Sequence, residues 1–254
     1  MLLNYQIFGE GKPLIIMHGL LGTLLNWSNQ TKALAAEGYQ VIAVDMRNHG
    51  RSPHCDEIDY SLMADDIATL LKHLDIPKAH VIGHSMGGKA AMQLALTHPE
   101  LIEKLIVVDI APVKYDSHHD DVFKGLFAID LDSIKSRGEA EKSLSDYVKD
   151  AAVRAFLLTN LYRTEDKKFG WRMNLQALYQ QYDNISDSPQ GTPYEQPVLF
   201  IKGANSDYMI PEYREDVLKL FPKADYKVIM GAGHWPHAEK PAEFTQIILE
   251  YLER

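Results

Sequence analysis

The 254-residue chain carries 26 Lys and Arg against 35 Asp and Glu, a formal net charge of −9 at pH 7. No stretch concentrates Lys or Arg, so the charge argues against nucleic acid or an anionic membrane surface as a partner. The length suits one α/β domain with an insertion and allows a large buried core. A single cysteine excludes an internal disulfide framework and a thiolate metal cluster, and it fits a reducing compartment.

Targeting signals are not evident in the sequence. The N-terminal segment, Met1–Tyr5, has no basic region followed by a long apolar run, so we expect no signal peptide. No apolar run approaches the length of a membrane span. The sequence therefore predicts a cytoplasmic protein without a membrane partner, and it leaves open a monomer or a small homo-oligomer.

The first 112 residues alternate apolar runs with helical patterns. Leu14–Met17 is a continuous apolar run, as expected for a strand that is buried on both faces. Four apolar residues repeat at the spacing of one helix face and predict a helix over 61–74: Met63, Ile67, Leu70 and Leu74. The other predicted elements here are strands at 5–8, 40–44, 80–82 and 105–109 and helices at 28–37 and 89–98. This alternation predicts an α/β fold with a mostly parallel central sheet flanked by helices.

The alternation stops near residue 112. Residues 113–190 contain only helical patterns with aromatic and aliphatic faces, and no strand-like run. Strands return at 197–201 and 226–230, and a last amphipathic helix begins at Pro241. We therefore expect a core of residues 1–112 and 191–254, with 113–190 inserted as a helical cap after the strand that ends at Asp109.

Residues 83–88, Gly-His-Ser-Met-Gly-Gly, lie between a predicted strand and a predicted helix. Gly-x-Ser-x-Gly in this context is the pattern of a nucleophile elbow. A turn from strand to helix within about two residues strains the serine and crowds its neighbours, so Gly83 and Gly87 have no room for a Cβ. The turn raises the Ser85 hydroxyl over a helix N-terminus, where free N–H groups favour negative charge. Ser85 is therefore the candidate nucleophile.

The candidate base is His234. A serine hydroxyl is a poor nucleophile until a base removes its proton. The chain has 11 histidines, so position must select among them. His234 lies in the glycine-rich loop 231–235, after the last predicted strand. It completes the chain order Ser, Asp, His that accompanies a nucleophile elbow. We give His84 and His237 structural roles.

Two aspartates compete for the acid that orients this histidine. Asp109 ends the strand that follows the elbow helix. Asp207 lies after the next strand, one residue beyond Ser206, which holds the slot where many proteins of this architecture carry the acid. A shift of one residue in a tight loop re-aims the side chain, so we favour Asp109. The other interpretation of Asp109 is a cap of the strand end before Pro112.

The oxyanion of an acyl-transfer intermediate needs two backbone donors. We assign them to the N–H of Met86, directly after the nucleophile, and to the N–H of Leu20, in the loop after an early strand. Gly19 lets this loop approach the serine. We expect His18 to brace the loop by hydrogen bonding rather than to touch the substrate.

The remaining charged and metal-binding residue types have simpler interpretations. Asp45 and Arg47 are expected to form a structural network under the site, because a buried charge needs a partner. Lys89 is expected to be structural, and Cys55 an incidental thiol. His118–Asp121 could suggest a metal ion, but adjacent residues chelate one ion poorly, so we expect a solvated segment. The sequence predicts neither a metal nor a cofactor.

Five segments carry a resemblance to a known family: His18–Gly22, Asp45–Gly50, Gly83–Lys89, Asp109–Val113 and Gly231–Trp235. They resemble the α/β-hydrolases, and among these the bacterial YbfF-type esterases. Met-Arg-Asn-His-Gly at 46–50 and Asp-Ile-Ala-Pro-Val at 109–113 are the most specific. The resemblance implies esterase or thioesterase activity on acyl esters, including acyl-CoA types. It also implies that the acid is Asp109, and it suggests that Ser206 belongs to a polar network near His234.

We therefore expect a serine hydrolase that uses Ser85, His234 and Asp109 to transfer the acyl group of a small-molecule ester or thioester to water. Three alternatives stay open: an acyltransferase, a carbon–carbon hydrolase or lyase with the same three residues, and a non-catalytic small-molecule receptor on the same fold. Epoxide hydrolases and haloalkane dehalogenases are excluded, because they need an aspartate at the elbow. The apolar cap faces could line an acyl tunnel or could only pack the cap onto the core.

Overall fold

The computed structural model describes every residue, 1–254. Its strands are β1 (Tyr5–Phe8), β2 (Lys12–Met17), β3 (Tyr39–Val44), β4 (Ala79–His84), β5 (Ile102–Val108), β6 (Leu161–Arg163), β7 (Phe169–Trp171), β8 (Val198–Gly203) and β9 (Ala224–Ile229). Seven of them form one sheet in the order β1-β3-β2-β4-β5-β8-β9. Only β1 runs antiparallel to its neighbour, which confirms the predicted α/β fold with a mostly parallel sheet.

Helices surround the sheet. They are α1 (Ser28–Ala36), α2 (Tyr60–His73), α3 (Met86–Thr97), α4 (Asp120–Ala128), α5 (Arg137–Leu144), α6 (Ala151–Leu157), α7 (Leu175–Gln180), α8 (Tyr182–Ser186), α9 (Arg214–Leu220), α10 (Pro236–Glu239) and α11 (Pro241–Leu252). The sequence did not indicate α9 or α10. Both are short, and in α9 only Val217 is buried, so the apolar periodicity that reveals a helix is almost absent.

The sheet separates two apolar cores because successive side chains of a strand point to opposite faces. In β5, Leu105 and Val107 pack into the larger core with α2, α3 and the helices α4 to α8. Ile106 and Val108 pack into the smaller core with α1 and α11. Both faces of the central strands are therefore covered, which explains their unbroken apolar sequences.

The segment between β5 and β8 is mainly helical, with α4 to α8, but it also contains the hairpin β6–β7. The prediction of no strand in this segment is therefore wrong. Each strand of the hairpin has only three residues, which is too short for a period of two to be visible. Lys167 closes the turn with a φ of 65°. The division into a core of 1–112 and 191–254 and a cap of 113–190 stays a prediction.

Four neighbouring strands of the sheet, β4, β5, β8 and β9, end at the same edge because they run parallel. The loops that follow them carry the candidate nucleophile, acids and base, in the crevice where ligands of open α/β sheets bind. None of the helices combines the length and the apolar character that crossing a membrane requires. The cytoplasmic location stays a prediction.

Candidate active site

Ser85 forms a tight turn between β4 and α3. Its φ of 52° and ψ of −118° lie outside the regions that most residues adopt, so the turn stores backbone strain. A Cβ on Gly83 would lie 2.1 Å from the Gly87 carbonyl oxygen, and one on Gly87 would lie 2.5 Å from the His18 carbonyl oxygen. The steric reason for both glycines is therefore confirmed. The Ser85 N–H donates to the Val108 carbonyl at 3.0 Å, which ties the turn to β5.

The structure brings His234 to this serine from 149 residues away. Its Nε2 lies 3.1 Å from the Ser85 Oγ, so the hydroxyl can donate to a neutral imidazole. The side chain of His234 is 15% exposed, which leaves the ring open to a substrate. Its own loop follows β9, directly before α10.

Contacts from three other side chains fix the position of this imidazole and its loop. The Nε2 of His84 donates to the His234 carbonyl at 2.7 Å, and burial lowers the pKa of His84 well below its usual range. The Glu239 carboxylate accepts from the N–H of Gly233 at 2.9 Å and from that of Trp235 at 3.2 Å. The Tyr208 ring stacks on the imidazole with 3.9 Å between ring centroids. Glu239 could not be predicted from the sequence, because its role depends on the undetected helix α10.

Asp109 accepts from the other ring nitrogen, with 2.7 Å between its Oδ2 and the His234 Nδ1. The carboxylate is fully buried, and its Oδ1 accepts from the Gly203 N–H at 2.9 Å. Its φ of 52° is another left-handed backbone position, which turns the side chain across the sheet edge. Hydrogen bonds of this kind hold the imidazole in the tautomer with a free Nε2 lone pair.

Ser206 and Asp207 lie in the loop after β8 but point to different surroundings. The Ser206 hydroxyl is buried and donates to the Asp109 Oδ2. Asp207 is exposed and makes no hydrogen bond to His234 or Ser85. Of the two competing aspartates, the structure therefore brings only Asp109 to the histidine.

Leu20 and Met86 lie together with Ser85 around one small pocket. Met86 is the first residue of α3, so its N–H has no partner within the helix. A Cβ on Gly19 would lie 3.2 Å from the Ser85 Cβ, which shows how closely this loop approaches the serine. The two amides are thus available at the end of a helix whose dipole favours negative charge.

Two buried histidines brace this loop from below. The His18 Nε2 accepts from the Met46 N–H at 3.0 Å, so its Nδ1 is the donor to the Gly19 carbonyl at 2.8 Å. The His49 Nε2 accepts from the Leu21 N–H at 3.0 Å. Burial lowers the pKa of His18, and it lowers the pKa of His49 to about 3, so both rings are neutral acceptors at pH 7. His49 was not predicted to have this role, although it lies two residues after Arg47 in one of the five segments that carry the resemblance.

Asp45 and Arg47 are both buried and hydrogen-bonded, as a structural network requires, but they do not bind each other. Arg47 binds Asp66 in a bidentate pair, at 2.7 Å from Nε and 3.0 Å from Nη2. Asp45 instead accepts from the N–H groups of Leu24 at 2.8 Å and Arg51 at 2.9 Å. Asp66 is a buried acid between apolar positions of α2, and that unusual placement was the signal for a buried cation nearby.

Lys89 is buried without a carboxylate partner. Its Nζ donates to the carbonyls of Ser186 at 2.8 Å and Asp187 at 2.7 Å, and it lies 4.6 Å from the centroid of the Tyr115 ring. Burial lowers the pKa of the ammonium to about 7. These contacts join α3 to the end of α8, which agrees with a structural role.

The segment His118–Asp121 does not gather its side chains around one point. The His119 Nδ1 lies 2.6 Å from the Tyr182 hydroxyl, and Asp120 accepts from the Ser117 hydroxyl. No group of three His, Cys, Asp or Glu side chains in the chain is arranged to hold a metal ion. Cys55 is half-buried and unpaired.

Two cavities meet at Ser85. The larger, of about 650 Å³, extends under α6 and is bordered by Phe156, Leu157, His234 and Trp235. The smaller, of about 40 Å³, lies towards α8. Volumes of several hundred Å³ are typical of sites for small organic molecules.

Comparison with known proteins gives concordant findings. A family model described as alpha/beta hydrolase fold matches residues 12–241. Esterase YbfF of Escherichia coli (strain K12) is 39% identical over 244 residues, covering 96% of this chain and 94% of that protein. The sn-1-specific diacylglycerol lipase ABHD11 of Mus musculus is 39% identical over 247 residues, covering 94% of this chain and 80% of that protein. The solved structure of a marine microorganism esterase, 40% identical, superposes with a TM-score of 0.96 over 98% of this chain and 99% of that one.

Proposed function

The chain belongs to the α/β-hydrolase family, and on that premise we propose that it is a serine hydrolase that cleaves carboxylic esters or acyl thioesters through an acyl-enzyme. The observation that carries the proposal is one continuous path of contacts. The Ser85 Oγ lies 3.1 Å from the His234 Nε2, and the His234 Nδ1 lies 2.7 Å from the Asp109 Oδ2. The esterase and lipase names of two relatives support the same reaction class.

In the first step the Ser85 oxygen attacks the acyl carbon while its proton moves to the His234 Nε2. The carbonyl electron pair moves to the oxygen, and the N–H groups of Leu20 and Met86 are the proposed donors to that oxyanion. Preorganised donors of this kind contribute much of the rate in acyl transfer.

Asp109 stabilises the imidazolium that forms on His234 and keeps its ring oriented. The Ser206 hydroxyl and the Gly203 N–H hold the carboxylate in place. Three hydrogen-bond partners fix the geometry of this buried carboxylate before the substrate arrives.

The imidazolium then gives its proton to the departing alcohol or thiol, and the acyl group stays on Ser85. A water molecule, deprotonated by His234, attacks the acyl carbon; the bond from that carbon to the Ser85 oxygen then breaks, the acid is released, and His234 returns the proton to Ser85. The same acyl-enzyme would serve a thioester of the acyl-CoA type, and transfer to an alcohol instead of water would make the protein an acyltransferase.

We further propose that residues 113–190 act as a cap that shapes the substrate cavity. Three residues of α6, Val153, Phe156 and Leu157, border the large cavity on the side opposite the sheet. The buried Asn160 Nδ2 donates to the Leu21 carbonyl at 2.7 Å, which anchors the cap to the loop with the proposed oxyanion donor. The cap thus forms part of the cavity wall and is anchored to the loop after β2, but it supplies no catalytic group.

A phosphonate that carries a p-nitrophenyl leaving group tests the proposed nucleophile. We expect one equivalent to attach to Ser85, detected by peptide mass spectrometry, with loss of p-nitrophenyl acetate hydrolysis. Ser85→Ala should abolish both, whereas Ser61→Ala, which removes an exposed hydroxyl on α2, should change neither. Labelling that is retained in Ser85→Ala would contradict the proposal.

A further inference from the structure

Ser85 lies between two cavities that differ in size by more than tenfold, about 650 Å³ against about 40 Å³. Both are bordered by Ser85 and Leu20, so both open onto the point where the acyl carbon would sit. An ester has two branches at that carbon, the acyl chain and the alcohol. Each cavity can therefore take one branch.

The position of the imidazole decides which branch goes where. His234 borders the large cavity and does not border the small one. Met86, whose N–H is a proposed oxyanion donor, borders only the small cavity. The leaving oxygen or sulfur must receive its proton from the His234 Nε2, so it has to depart on the side where that ring is exposed.

We propose that the small pocket holds the acyl chain and the large cavity holds the alcohol or thiol, so that the enzyme prefers short acyl groups on bulky leaving groups. This specificity rests on the serine-hydrolase function proposed above. It assigns the apolar cap face of α6 to the leaving group rather than to an acyl tunnel.

The volume of the small pocket sets the acyl length. With about 40 Å³, this pocket has room for only a short chain beyond the carbonyl carbon, so it favours short acyl groups over long ones.

The walls of the small pocket oppose a longer chain. Lys89 forms one wall, and its ammonium is already bound to the carbonyls of Ser186 and Asp187 and to the face of Tyr115. A methylene chain that displaced this ammonium would leave buried polar groups without partners, which is unfavourable. Ile185, which is 5% exposed, contributes an apolar wall.

The test begins with the wild-type enzyme and p-nitrophenyl esters of acetate, butanoate, hexanoate and octanoate. A methylene that a pocket cannot accommodate typically lowers kcat/KM by roughly tenfold or more. We expect kcat/KM to fall at least tenfold between butanoate and octanoate, and acetates of larger aryl alcohols to react at least as well as p-nitrophenyl acetate. An octanoate that matches or exceeds butanoate would overturn the proposal.

A matched pair of truncations then distinguishes the two cavities. Ile185→Ala enlarges only the small pocket. Leu157→Ala removes a side chain of the same composition, also buried, from the large cavity. We expect Ile185→Ala to raise the ratio of kcat/KM for octanoate to kcat/KM for butanoate at least tenfold. Leu157→Ala should leave this ratio unchanged and alter only the preference among aryl acetates.

Further measurements keep the outcomes distinct. If Ile185→Ala folds poorly, as judged by thermal unfolding, Tyr182→Ala enlarges the same pocket at a half-buried position and should give the same shift. A shift of the acyl-length profile in Leu157→Ala instead would place the acyl chain in the large cavity and overturn the assignment. An enzyme that hydrolyses none of these esters and whose Ser85 is not labelled would contradict the proposed function itself.

Discussion

The floor of the site and the cap are held by different interactions. We name the loops that follow β2, β3, β4, β5, β8 and β9 the floor, and residues 113–190 the cap. In the floor, directional hydrogen bonds to buried groups fix each side chain, as in the contacts of Asp109 with Gly203 and His234. In the cap, aromatic and aliphatic side chains such as Phe123 and Tyr179 pack against each other, with 5.4 Å between their centroids. Chemistry should therefore depend on single atoms of the floor, and substrate range on volumes under the cap.

The largest effect is expected from Asp109→Asn. An amide at this position would favour the wrong imidazole tautomer and would not stabilise the imidazolium, and such a change typically lowers kcat by about 10⁴. Steady-state hydrolysis of p-nitrophenyl acetate measures this loss. Asp207→Asn is the matched control, because this exposed carboxylate makes no hydrogen bond to His234 or Ser85, and the change should alter kcat less than about threefold. A large loss in Asp207→Asn alone would reverse the assignment of the acid.

A smaller effect is expected where the floor acts through the backbone. His49→Phe leaves the Leu21 N–H without its acceptor and loosens the loop that carries the Leu20 donor. Removing one oxyanion donor outright typically costs 10²–10³ in kcat, so loosening it should lower kcat roughly 10- to 100-fold. His49→Gln, whose amide oxygen can accept the same hydrogen bond, should restore part of kcat.

The cap variant Phe156→Ala should instead raise KM for bulky aryl acetates and leave kcat within about threefold. Equal losses of kcat in the floor and cap variants would remove the distinction between the two regions.

The smallest effect concerns stability against acid. Burial lowers the pKa of His237 to about 3, and its Nδ1 has no hydrogen-bond partner. Between pH 6.5 and 3 the unfolded chain therefore binds a proton here that the folded chain does not, so stability falls as pH falls. Between pH 7 and 5 this difference in proton binding lowers the free energy of unfolding by about 2 kcal/mol. His237→Phe keeps an aromatic ring stacked on Trp27, where the centroids lie 4.3 Å apart in the wild type. Between pH 7 and 5 the free energy of unfolding of this variant, measured with urea, should fall by about 2 kcal/mol less than that of the wild type.

Exposed His73 provides the control, because His73→Phe should leave the pH dependence of unfolding unchanged. An identical pH dependence in His237→Phe and the wild type would show that this imidazole is protonated in the folded protein. Solvent would then reach the His237 imidazole more readily than its burial implies.

Local sequence predicted the parts of the site that depend on near neighbours. The turn at Ser85 could be identified because both glycines and the helix N-terminus lie within a few residues of it. Buried strands could be identified because both faces of β5 are covered by apolar groups. His234 could be selected by its place after the last strand. In each case the sterics of a short segment restrict the backbone to few conformations.

Contacts between distant segments were less predictable. The pairing of Arg47 with Asp66 rather than Asp45 depends on how α2 packs against the loop after β3. The hairpin β6–β7 was missed because three-residue strands form only where the surrounding cap supports them. Sequence spacing contains no information on the direction in which such side chains point.

The sequence by itself determined the fold class, the turn at the candidate nucleophile and the loop that carries the candidate base, because strand periodicity and the steric demands of one tight turn act locally. Only the tertiary structure decided that Asp109 rather than Asp207 meets the histidine, and that two unequal cavities meet at Ser85. The physical reason is the order of the sheet. Parallel strands β4, β5, β8 and β9 bring four loops to one edge, and the backbone angle at each strand end directs the side chain that follows.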